Sequence, residues 1–153
     1  MTTDVDNFFP SMSVREIELI FTRIGYSKRL SNLLAKLCCR DGSLPQGAPT
    51  SPALSNIFMI PFDDAISSYC KKLNIKYTRY ADDLTFSGDF DTDATLEVVK
   101  TKIGELGLSL NADKTKIMGR DQAQLVTGVV VNEKLQVAFK KRNKFETRNV
   151  LHQ

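Results

Sequence analysis

The 153-residue chain is predicted to fold as an α+β domain, an antiparallel sheet with helices packed on one face. Three observations predict this. Strand and helix signals follow one another in the order strand, helices, hairpin, helix, strands. The helical stretches repeat apolar residues every three to four positions, whereas the strand stretches are short and rich in β-branched and aromatic residues. Finally, there is no internal repeat, low-complexity segment or linker, so one core should serve the whole chain.

Val5 to Pro10 reads as the end of a strand leading into a turn. Ser13-Val14-Arg15-Glu16 is a capping box, and Val14, Ile17, Phe21 and Ile24 recur at helical spacing until Gly25. A second helix should place Leu30, Leu33, Leu34, Leu37 and Cys38 on one face and stop at Asp41-Gly42. Leu44 to Pro49 holds too much proline and glycine for regular structure. Ser51-Pro52 then supplies an N-cap followed by proline at the first helical position. The long helix beginning there carries Leu54, Ile57, Phe58, Phe62, Ala65, Ile66 and Tyr69, with Pro61 expected to kink or interrupt it.

Ile75 to Tyr80 and Leu84 to Ser87 read as two strands of a hairpin with Ala81-Asp82-Asp83 at its tip. Asp91 or Thr92 caps a further helix with Leu96, Val99, Ile103 and Leu106 inward, ended by Gly107. Short strands are expected at Leu108 to Leu110, Lys116 to Met118, Leu125 to Val131 and Leu135 to Phe139, the last two joined by a turn at Asn132-Glu133.

Composition narrows the function classes. With 42% hydrophobic and 25% charged residues the chain reads as an ordinary globule, and no apolar run is long enough to span a bilayer. Met1-Thr2-Thr3-Asp4 lacks the features of a signal peptide, so a cytoplasmic location is expected. Cys38, Cys39 and Cys70 are odd in number and lack metal-ligand spacing, which predicts buried reduced thiols rather than disulfides or a zinc site. Residues 133 to 153 hold six bases against Glu133 and Glu146, a net +4 in a chain of net +3, so the rest carries −1. Such a basic end suits a polyanion, and a solvated helix face accounts for it nearly as well.

Two-metal phosphoryl transfer needs carboxylates that converge from separate elements. Asp82 and Asp83 at a hairpin tip, with Asp4 at the end of a neighbouring strand, have the chemistry to hold a hard cation such as Mg²⁺. Taken alone, two adjacent acids in a turn are ordinary solvated turn residues. They do not stand alone. Tyr80-Ala81-Asp82-Asp83 closely resembles the signature hairpin of reverse transcriptases, and Asp4-Val5-Asp6-Asn7-Phe8-Phe9-Pro10-Ser11 resembles that family's first catalytic block. Leu44-Pro45-Gln46-Gly47-Ala48-Pro49-Thr50-Ser51-Pro52-Ala53-Leu54-Ser55-Asn56 is similar to its nucleotide-facing loop and helix, and Leu108-Ser109-Leu110-Asn111 with Lys114-Thr115 to the following block. Four blocks in register are a specific signal where one acidic tetrad is weak. Leu84-Thr85-Phe86-Ser87, Val126 to Asn132 and the basic run toward His152 resemble bacterial retron enzymes more than group II intron maturases.

The resemblance implies a polymerase palm with a ferredoxin-like sheet over residues 1–139, a basic segment at 140–153 that begins a thumb, and no fingers segment. It implies an RNA-directed DNA polymerase that uses two Mg²⁺ ions, Mn²⁺ substituting, with deoxynucleoside triphosphates, an RNA template and the RNA/DNA hybrid as partners. Structured retron RNA and a role in anti-phage defence follow from the subfamily. Carried over residue by residue, Asp4, Asp82, Asp83 and the Val5 carbonyl would ligate metal, and Asp6 would point away. Phe9 would abut the sugar's 2′ position, a simple core phenylalanine being the competing reading, equal in weight for Phe8 and weaker for Phe9. Gln46, Gly47 and Tyr80 would border the incoming nucleotide, although Pro45 and its neighbours also serve as a plain turn. Lys114 would be the general acid for pyrophosphate, a role that a surface lysine after a turn matches equally from sequence. Val126, Thr127 and Gly128 would lie in a primer-gripping hairpin, or simply a strand with a glycine bulge, and Lys140, Lys141 and Arg142 would meet nucleic acid.

On this reading the isolated chain has weak or no polymerase activity and exposes apolar surface prone to self-association. The competing functions are a fragment that only binds RNA or a partner, a maturase-type reverse transcriptase, and a palm-type nucleotide cyclase, whose glycine-rich signature is absent. Asp89-Phe90-Asp91-Thr92-Asp93 opens like a calcium loop, but Ala94 and Lys100 stand where that loop needs glycine and glutamate. His152, the single histidine, has no nucleophile or metal partner in sequence.

Overall fold

The computed structural model describes residues 1–119, together with the backbone of three short strands at 125–126, 129–130 and 136–137. It is an α+β arrangement. The elements run β1 (Thr2–Val5), α1 (Val14–Ile24), α2 (Lys28–Cys38), α3 (Ser51–Lys72), β2 (Lys76–Tyr80), β3 (Asp83–Ser87), α4 (Thr92–Gly104), β4 (Leu110–Lys116), β5 (Leu125–Val126), β6 (Val129–Val130) and β7 (Gln136–Val137). The first four strands form one antiparallel sheet in the order β2-β3-β1-β4, and the last three form another in the order β5-β6-β7. No helix among the described residues is long and apolar enough to cross a membrane.

The capping signals at Ser13, Gly25 and Asp91 work as read. Ser13 accepts from the Glu16 amide while the Glu16 carboxylate accepts from the Ser13 amide, closing the box at the start of α1. Gly25 ends that helix at φ 110°, a conformation open to glycine at little cost. Asp91 caps α4 by accepting from the amides of Asp93 and Ala94. The core joins Val5, Phe8, Met12, Ile17, Met59, Phe62, Ile66, Leu84, Phe86, Val99 and Ile103, all less than a tenth exposed.

Several expectations are corrected. In helix α2 Ser31 and Ala35 are fully buried, while Leu30, Leu33 and Leu37 of the apolar face are exposed and Leu34 and Cys38 partly buried, and the helix stops at Cys38 rather than at Asp41-Gly42. The small side chains let α2 lie close on α1, a packing advantage that leucines at those positions would remove. In α1 Ile17 is buried as expected and Ile20 joins it, whereas Ile24 is exposed. The cap of α3 is Thr50, and Ser51 sits one residue inside, its hydroxyl donating to the Pro45 carbonyl at 2.7 Å. Pro61 faces outward and α3 continues through it, because a long helix anchored on both sides tolerates one missing donor. Of the cysteines, only Cys70 is fully buried; Cys38 and Cys39 are half-buried.

The expected strands at Leu108 to Leu110 and Lys116 to Met118 are instead one strand, β4, running from Leu110 to Lys116. The expected strand at Leu125 to Val131 is divided: Val126 pairs with Val129 and Leu125 with Val130. The turn at Asn132-Glu133 lies outside the described residues.

Candidate active site

The acids gather where three strands end. Register brings Asp4 of β1 opposite Asp83 of β3, and directly opposed residues of an antiparallel pair project from the same face of the sheet. The Val5 amide donates to the Asp82 carbonyl at 2.9 Å, tying the hairpin tip to β1. Tyr80 pairs with Asp83, so the loop is Ala81-Asp82 alone, and Asp83 is the first residue of β3 rather than part of the tip. A two-residue loop demands a positive φ, and Ala81 takes it at 53°.

Lys114 comes in from the other side. Asp4 pairs with Asn111 and Thr2 with Lys116, so between these rungs β4 places four residues where β1 places one, Thr3. This wide bulge breaks the alternation of β4 and turns Lys114 toward the acids. Its ammonium lies 2.9 Å from a carboxylate oxygen of Asp4. The Lys114 pKa is raised by its hydrogen bond to Asp4 and by that residue's charge, and to a smaller extent by the charges of Asp82 and Asp6. Beneath it the hydroxyls of buried Thr3 and of Thr115 share a 2.8 Å hydrogen bond that pins the bulge.

Oxygen donors of the hard type that divalent cations prefer are therefore concentrated at one sheet end, with one cationic group already among them. Among the described residues, no three His, Cys, Asp or Glu side chains converge as they stand into a group that could hold a metal ion. A cation placed there would compete with Lys114 for Asp4.

Phe8 is buried, and half-buried Phe9 meets it edge to face with ring centres 5.2 Å apart. Tyr80 is exposed beside the acids. Gln46 and Gly47 lie exposed in the loop before α3; Gly47 has φ 86° with open space where a Cβ would stand, so conformation, not crowding, calls for glycine. Val126 lies in β5, in the sheet separate from that of the acids, while Thr127, Gly128, Lys140, Lys141 and Arg142 lie outside the described residues.

Sequence reasoning missed the group behind the hairpin. Arg79, its side chain 8% exposed, forks onto Asp63 of α3: Nε donates to Oδ1 at 2.9 Å and Nη2 to Oδ2 at 2.6 Å. The Tyr77 hydroxyl donates to the same Oδ1 at 2.7 Å. A signal was present, since Tyr77 and Arg79 share the more buried side of β2, and an arginine on that side demands a carboxylate.

A family model described as reverse transcriptase (RNA-dependent DNA polymerase) matches residues 1–144. Over 139 residues the chain is 37% identical to the retron Ec86 reverse transcriptase of Escherichia coli, covering 87% of this chain and 42% of that protein. It is 34% identical to the retron Mx65 reverse transcriptase of Myxococcus xanthus (98% of this chain, 39% of that protein) and 36% identical to the retron Ec83 reverse transcriptase of Escherichia coli (91% and 50%). The chain thus spans two fifths to a half of the length of these relatives.

Proposed function

Because the chain belongs to the reverse transcriptase family, we propose that it is the palm of a retron-type RNA-directed DNA polymerase, working by two-metal nucleotidyl transfer. One observation carries the reading: Asp4 and Asp83 face each other across two strands, with Asp82 tied to Val5 and Lys114 on Asp4. The strand order β2-β3-β1-β4, all antiparallel, suits a ferredoxin-like palm with its helices on one face. Residues 1–139 are assigned to the palm and 140–153 to the approach to a thumb.

Asp4, Asp82 and Asp83, with the Val5 carbonyl, are the residues that would hold divalent cations, Mg²⁺ foremost and Mn²⁺ in substitution. Such ions supply activation of a primer hydroxyl and neutralisation of charge on the triphosphate. Lys114 holds its proton firmly while paired with Asp4; once that carboxylate is engaged elsewhere, the ammonium becomes a readier donor to a leaving pyrophosphate. Phe9 is assigned to sensing the sugar's 2′ position, and Gln46, Gly47 and Tyr80 to the nucleotide's borders. Val126, Thr127, Gly128, Lys140, Lys141 and Arg142 are assigned to the nucleic acid, and retron RNA is the proposed template.

Phosphoryl transfer depends on positioning, and the relatives are more than twice this length or close to it. The 153-residue chain alone is therefore expected to extend primers weakly or not at all. The exposed apolar side chains Ile24, Leu30, Leu33 and Leu37 favour self-association, which sedimentation at rising concentration would reveal. The decisive experiment is a Mn²⁺ titration followed by NMR, comparing the wild type with Asp82→Asn. Specific binding lost in the variant is expected. Binding unchanged by the substitution would sink the site, and RNA binding that depends steeply on salt but not on metal would replace the polymerase with a plain RNA binder.

A further inference from the structure

We propose that Arg79 is a positioning residue for the acidic hairpin, a buried guanidinium that fastens the backbone immediately before Asp82 to helix α3. Its remaining nitrogen, Nη1, donates to the Ala81 carbonyl at 3.1 Å and to the Asn56 side-chain oxygen at 3.0 Å. Asn56 and Asp63 both belong to α3, which begins directly after the Leu44 to Thr50 loop. One planar group therefore joins the hairpin tip to the helix that carries that loop. Arginine is suited to this because its fork is rigid, always charged and able to make all these bonds at once, whereas lysine offers a single ammonium.

The placement matters because of what the loop must hold. Ala81 sits at φ 53°, a strained conformation for a residue with a Cβ, and such backbone persists only where the surroundings hold it. The bond from Arg79 to the Ala81 carbonyl holds it from one side, and the bond from the Val5 amide to the Asp82 carbonyl holds it from the other. Without the first, the tip rests on the second and on the strand pairing of Asp83 with Tyr80 and Asp4. Arg79 never touches the reacting atoms; it acts through Asp82, and its role toward metal rests on the polymerase reading above.

The test is amide hydrogen exchange and Mn²⁺ titration on the whole chain, comparing the wild type with Arg79→Lys. The Val5 amide reports the hairpin tip, the Asp6 amide, bonded to the Ser109 carbonyl, reports the β4 side, and the Leu44 amide, bonded to the Met12 carbonyl, reports the core. Arg79→Lys is expected to speed exchange at Val5 about tenfold or more while leaving Asp6 and Leu44 near their wild-type rates. Mn²⁺ affinity should weaken by roughly 10- to 100-fold, the usual effect of losing a group that orients a metal ligand. Unchanged exchange at Val5, or an equal rise at all three amides, overturns the proposal, the latter making Arg79 a general stabiliser. Should Arg79→Lys fail to fold, Asn56→Ala keeps the ion pair and is expected to give the same ordering with smaller changes. If the wild type binds no Mn²⁺, the polymerase site is what fails, and the three amides still decide whether Arg79 positions the tip.

Discussion

Asp63 receives two neighbours at once, the Tyr77 hydroxyl and the Arg79 fork, and this crowding has a consequence that pH can read. Burial first, and then the hydrogen bond and charge of Asp63, push the Tyr77 pKa far above the ordinary tyrosine range, with Arg79 opposing. The folded protein therefore holds this proton more tightly than the unfolded chain does. Its contribution is present in full below about pH 10, where the unfolded tyrosine is also protonated, and is lost as pH rises beyond. Urea midpoints should fall above that pH in the wild type and fall less steeply in Tyr77→Phe, which at neutral pH should already cost about 1 kcal/mol for the missing hydrogen bond. Parallel curves for the two proteins would mean that the phenol is not buried against Asp63. At Ala81 the strain is local: glycine relieves about 1–2 kcal/mol of left-handed cost but adds some 0.4–1 kcal/mol of unfolded-chain entropy. Ala81→Gly should leave thermal stability unchanged or raise it slightly, and Ala81→Val should lower it. A clear loss in the glycine variant would show that the methyl group's packing outweighs the strain.

The start of α1, its stop and the start of α4 were legible because caps are local chemistry, and Ser13, Gly25 and Asp91 perform as their residue types dictate. Facing was not local. The leucines of α2 form as good a stripe as any, yet Ser31 and Ala35 face inward because close approach to α1 favours small side chains. This inversion is testable by two substitutions of opposite character. Ala35→Leu should destabilise by about 1–3 kcal/mol through overpacking, whereas Leu37→Lys, at a side chain 74% exposed, should shift stability by less than about 0.5 kcal/mol. The reverse order would mean that the leucine stripe is the buried one. Strand β4 escaped detection for a related reason, since Leu-Asn-Ala-Asp-Lys-Thr-Lys has no alternation to read. The bulge that abolishes the alternation is also what turns Lys114 onto Asp4.

Across the whole molecule, the hairpin of β2 and β3 could be foreseen from adjacent signals, but the central place of β1 could not. Its partners are residues 83–85 on one side and 110–116 on the other, and periodicity says nothing about pairing over such separations. The acids were therefore legible as residue types and as family blocks, while their meeting place, and the Arg79 support behind it, required the fold. The same long-range closure sets the fate of the thiols. Cys70 is 1% exposed at the end of α3, and burial raises its pKa, so both access and thiolate are scarce. Cys38 and Cys39 are only half-buried at the end of α2, and since burial and the neighbouring Cys38 raise the Cys39 pKa as well, access rather than acidity separates Cys39 from Cys70. A thiol reagent followed by peptide mass spectrometry should modify Cys38 and Cys39 first. Cys70 should react only through global opening, its rate rising with urea along the full unfolding slope. Reaction of Cys70 as fast as Cys39, with little response to urea, would mean that α3 detaches from the sheet without global unfolding, and that the core joining the hairpin to α3 is not a single cooperative unit.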